Sequence, residues 1–127
     1  MKNLKKTQRL KEEASEIFKA GNYEEAIAKF EETVQIDPLN AVFNATLLLN
    51  VSIAWEKLGN KSKKLEALNL ALKYNPKYAK AFVRRGDHWI LMEDYNEAIK
   101  DFASAKEHDP SGFNVDAIGK FFQIICV

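Results

Sequence analysis

Gly21-Asn22-Tyr23-Glu24-Glu25-Ala26-Ile27, followed by Phe30 and by Asp37-Pro38, is the stretch that decides how this sequence folds. Its roles recur 38 residues on as Gly59, Leu65, Leu68, Ala71 and Asn75-Pro76. They recur again after a further 34 as Tyr95, Ala98, Ile99, Phe102, Ala105 and Asp109-Pro110. The period is therefore 34 with one insertion of four residues. Three copies follow, at 7–40, 45–78 and 79–112, with Ala41–Asn44 between the first two. A fixed period of this length marks an array of stacked supersecondary units.

The punctuation inside each copy reads helix, turn, helix. Leu10, Ala14, Ile17, Phe18 and Ala20 form a helical stripe that ends at Gly21, a residue free to close a helix with positive φ. Asn22 is placed to cap the next helix, with Glu25 at the capping-box position, and Asp94 with Glu97 repeats the arrangement. Each second helix stops before Asp-Pro or Asn-Pro, because proline disfavours a helical residue ahead of it. No stretch alternates with period two for long enough to be a strand, and short connections make neighbouring helices antiparallel. Ala41–Asn44 holds neither proline nor glycine, which predicts a first helix of repeat two longer by about one turn. Val115, Ile118, Phe121, Phe122 and Ile125 share one helical face, so residues 114–125 are expected to form a seventh helix that caps the last repeat.

Composition bounds the function. A chain of 127 residues with 46% apolar and 29% charged residues fits one all-α domain over 1–127. Nineteen basic residues against eighteen acidic ones leave +1, without the basic excess of a nucleic-acid binder. A single cysteine excludes an internal disulfide framework and a multi-cysteine zinc site. Apolar runs such as Leu47-Leu48-Leu49 are too short to span a membrane, and no signal peptide opens the chain. The expectation is a soluble, cytoplasmic protein.

The repeated residues resemble the tetratricopeptide repeat (TPR) family over about residues 7 to 112. The resemblance implies a right-handed α-solenoid whose first helices line a concave groove. One subgroup of co-chaperones uses that groove to hold the Glu-Glu-Val-Asp tail of heat-shock chaperones in a carboxylate clamp. The matching positions here are Lys11, Ser15, Asn50, Lys80 and Arg84, and four of the five residue types agree. Lys80 and Arg84, spaced i,i+4, share a helix face: arginine offers a planar fork, lysine a mobile point charge. A Lys/Arg pair alone is ordinary solvated surface; the match across three repeats singles it out. Phe18, Ile53, Ile90 and Leu91 are expected as apolar contacts of the groove, and ordinary helix packing is the competing reading for them. The resemblance extends to the TPR segments of co-chaperones with a J domain; the chain holds no His-Pro-Asp, which on that relationship makes it a fragment or derivative.

Departures from the subgroup are specific. Ser15 stands where the clamp has asparagine, Val51 where an arginine usually follows, Lys61 where an aromatic is usual, and Lys64 where a small alanine packs between helices. The second helix of repeat two is therefore expected to pack less well, the Lys64 stem having to snorkel out. Arg85 is read as a surface or packing residue. An enzyme reading finds no nucleophile motif, phosphate loop or cofactor signature, and His88 and His108 are expected in packing or surface roles. A second functional reading stays open: a self-associating or redesigned TPR module, with Phe122, Ile124, Ile125 and Val127 of the apolar tail forming a homodimer contact.

Overall fold

The computed structural model describes residues 2–110, with side chains from residue 5. Six helices occupy them: α1 Lys2–Lys19, α2 Tyr23–Ile36, α3 Ala41–Lys57, α4 Lys61–Tyr74, α5 Ala79–Leu91 and α6 Tyr95–His108. No strand occurs among the described residues. The expected capping helix and the tail residues Phe122, Ile124, Ile125 and Val127 lie outside them.

The same turn chemistry closes the first helix of every repeat. Gly21, Gly59 and Glu93 adopt φ of +88°, +78° and +60°. Their N–H groups donate to the carbonyls of Phe18, Glu56 and Ile90, while the next N–H, of Asn22, Asn60 or Asp94, reaches back to Ile17, Trp55 or Trp89. These paired bonds satisfy carbonyls that a helix end would otherwise leave bare. Asn60 Oδ1 then accepts from the Lys63 N–H at 3.0 Å and Asp94 Oδ1 from that of Glu97 at 3.5 Å. Asn22 departs from expectation: it stands at the N-cap position without a side-chain cap hydrogen bond, its ψ of 69° being smaller than the 91° of Asn60 and 77° of Asp94.

Two compact units divide the chain, Met1–Pro76 and Lys77–Val127. In the first, α2 packs on α1 and α3, and α4 packs on α3. Being flanked by α2 and α4, α3 is apolar on several faces, with Leu47, Leu48, Leu49, Val51 and Ala54 all buried. It has 17 residues against 13 in α5, so the insertion adds a helical turn. Asn44, on that turn and fully buried, donates its side-chain amide to the Asp37 carbonyl at 2.8 Å and so ties the turn to the end of α2.

The packing of α4 corrects the sequence expectation. Lys64 is only 5% exposed, yet Ala67, Leu68, Ala71 and Leu72 are buried along the same helix, and α4 packs on α3 along its length. The Lys64 stem lies in the core, while its ammonium is not among the fully buried polar atoms that lack a partner, Asn44 Oδ1 being one such atom. A four-carbon stem can replace apolar volume if its head reaches the surface.

In the second unit α5 and α6 approach closely. A Cβ at Gly86 would come within 2.8 Å of the Phe102 ring, so only glycine permits this spacing. Ala81, Ala98, Phe102 and Ala105 are buried around it.

Candidate functional site

Each unit carries part of the residue set singled out from the sequence. In the first, Lys11 and Ser15 lie one turn apart on α1 and are half-buried. Asn50, also half-buried, lies on α3. The Lys11 ammonium sits 5.6 Å from the centroid of the Phe43 ring. Phe43 precedes Asn50 by seven residues, two helical turns, so both project from one face of α3. The Lys11–Phe43 contact therefore turns the Lys11 face of α1 towards the Asn50 face of α3. Lys11, Ser15 and Asn50 make no side-chain hydrogen bond or ion pair among the described residues.

In the second unit Lys80 and Arg84 are exposed one turn apart on α5. Their neighbour Arg85 does something else. Its Nε and Nη2 both donate to the Asp101 carboxylate, each at 2.7 Å, and its guanidinium lies 5.6 Å from the Phe82 ring centroid. This fork joins α5 to α6, giving Arg85 the packing role expected of it. His108 stacks on the same Phe82 ring at 5.8 Å, in the last turn of α6, and His88 is buried edge-on to Trp89.

The residues expected to give the groove its apolar side differ among themselves. Phe18 meets Tyr23 edge-on at 5.2 Å across the α1–α2 turn, the packing role that competed with the groove reading. Ile53 and Ile90 are half-buried, whereas Leu91 is 59% exposed.

Two residues that matter were missed in the sequence. Phe43 lies in the inserted turn, which a repeat comparison sets aside. Asp101 is a buried acid whose partner is 16 residues away. Comparing repeats position by position finds the second: Arg85 and Asp101 correspond to Glu13 and Lys29 in repeat one, which also pair, at 3.4 Å and with the signs reversed.

Among the described residues no group of three or more His, Cys, Asp or Glu side chains could hold a metal ion. No described helix is long and apolar enough to cross a membrane.

No protein-family model matches the chain. Over 101 residues it is 34% identical to DnaJ homolog subfamily C member 7 of Homo sapiens, covering 80% of this chain and 20% of that protein. The Hsp70-Hsp90 organising protein of Plasmodium falciparum is 31% identical over 121 residues, 94% of this chain and 46% of that sequence. The chain thus spans less than half the length of either relative. Among solved structures, the first TPR of Spaghetti (RPAP3) bound to HSP90 peptide SRMEEVD superposes with a TM-score of 0.79 at 30% identity, over 97% of this chain and 95% of that one. Helix–turn–helix pairs at a 34-residue period and this near-complete likeness agree: the chain belongs to the tetratricopeptide repeat family, as a domain of co-chaperone type.

Proposed function

We propose that this chain is a non-enzymatic interaction scaffold that binds the acidic C-terminal tail of a heat-shock chaperone, in the cytoplasm. Lys11, Ser15, Asn50, Lys80 and Arg84, the positions that match the family's carboxylate clamp in sequence, are the residues proposed to receive the tail's carboxylates. The observation that carries this reading is the Lys11–Phe43 contact, which turns the face of α1 that bears Lys11 towards the face of α3 that bears Asn50; Lys11, Ser15 and Asn50 make no side-chain hydrogen bond or ion pair among the described residues. Lys80 and Arg84, one turn apart and exposed, add the cationic pair. The peptide-bound RPAP3 domain supports the choice of ligand. Each charge-assisted hydrogen bond contributes about 1.5–3 kcal/mol, and the ordering of a flexible tail offsets much of the sum. Affinity on the order of micromolar follows.

Calorimetric titration with a peptide ending in Glu-Glu-Val-Asp tests it, against the same peptide amidated at its C-terminus. Lys80→Ala and Asn50→Ala are each expected to weaken binding about tenfold, the loss of one such bond, with unchanged circular dichroism. Equal binding of the acid and the amide would overturn the reading.

A further inference from the structure

Repeats one and three tie their two helices together by an ion pair at one equivalent place, Glu13–Lys29 at 3.4 Å and Arg85–Asp101 at 2.7 Å. In repeat two the same two positions hold Val51 and Ala67, which are 2% and 7% exposed. Two small apolar side chains fill less space than a charged pair. At this place α2, α3 and α4 leave a cleft of about 260 Å³ with Val51 and Ala67 in its lining. Trp55 and Tyr74 also line it, and so do Glu31 and Glu66. Lys63 pairs with Glu66 at 3.6 Å, whereas Glu31 has no ion pair among the described residues. Two carboxylates and one ammonium thus line the cleft, which leaves an excess of one negative charge beside apolar side chains.

We propose that this cleft is a binding site for an arginine side chain presented by a partner protein. The apolar floor takes the methylene stem, the aromatic side chains offer surface for a guanidinium plane, and the carboxylates accept its N–H groups. Arginine fits better than lysine, because its planar, weakly hydrated head can stack and fork at once. The protein supplies its own template. In repeat three Arg85 stands at the position equivalent to Val51, and its guanidinium lies by the Phe82 ring and forks onto Asp101. An arginine from outside would do in repeat two what Arg85 does in repeat three. The site is separate from the one proposed for the acidic tail: Val51 follows Asn50 in α3, and consecutive helical residues point about 100° apart.

The experiment uses the whole chain and follows the Trp55 indole N–H by nuclear magnetic resonance. The probe is acetyl-Ala-Arg-Ala-amide, with citrulline in place of arginine as the uncharged control of the same shape. The arginine peptide is expected to shift the Trp55 signal saturably, with a dissociation constant on the order of 1 mM for a single side chain. Glu31→Gln with Glu66→Gln should weaken this by up to about fivefold for each carboxylate, the upper value of a charge pair near the surface, and leave acidic-tail binding intact. Val51→Arg with Ala67→Asp, which rebuilds the repeat-three pair, should abolish it. Should that variant fail to fold, the glutamine pair and the citrulline control still decide. No Trp55 shift at tens of millimolar peptide, or an equal shift with citrulline, would overturn the proposal, whatever the acidic peptide does.

Discussion

Glu93 does at φ +60° what Gly21 and Gly59 do at +88° and +78°. A side chain in that left-handed region costs about 1–2 kcal/mol, and glycine returns part of the gain as entropy in the unfolded chain. Glu93→Gly is therefore expected to stabilise the second unit by about 0.5–1 kcal/mol, measured as a rise in the denaturant midpoint at unchanged slope. The turn itself was legible in the sequence at residue scale, because glycine and an asparagine cap leave a local signature. Arg84 and Arg85 were only partly so. Adjacent and chemically identical, they differ because Arg84 is exposed whereas Arg85 is half-buried and forks onto Asp101 on the neighbouring helix. Nothing local in the sequence encodes that difference; it is fixed by which face of α5 meets α6.

At the scale of the element, the longer α3 was legible and its consequence was not. An insertion without proline or glycine must extend a helix, but that Phe43 would then reach Lys11 depends on the packing of α1 against α3. The same distinction separates the easily read helix boundaries from the bond that fastens α5 to α6. Asp101 is 7% exposed at its side chain and Arg85 23%, so removing the acid takes both forked hydrogen bonds from a largely buried guanidinium. Asp101→Ala is expected to cost about 2–4 kcal/mol in chemical denaturation. Arg85→Met with Asp101→Leu should recover much of that loss, since a well-packed apolar pair avoids the desolvation of two charges.

For the molecule as a whole, a net charge of +1 conceals local specialisation. On the proposed reading Lys11, Lys80 and Arg84 meet an acid, while Glu31 and Glu66 line the cleft proposed to take a base. Exposed charges separated by more than a Debye length are screened, about 10 Å at 0.1 M salt and 3 Å at 1 M. Binding of the acidic peptide is accordingly expected to weaken severalfold between those two conditions, read by calorimetry at each. An affinity independent of salt would mean that apolar contacts, not carboxylate recognition, hold the peptide. The interhelical pairs have a different consequence, for how a repetitive chain finds its own fold. Repeats of one architecture risk docking the first helix of one copy on the second helix of another. Here α1 misdocked on α6 would set Glu13 against Asp101, and α5 misdocked on α2 would set Arg85 against Lys29. Both wrong partnerships bring like charges together, whereas both right ones bring opposites. The reversed polarity between repeats one and three thus acts as an address label for their four helices, disfavouring exchange of partners between those two copies.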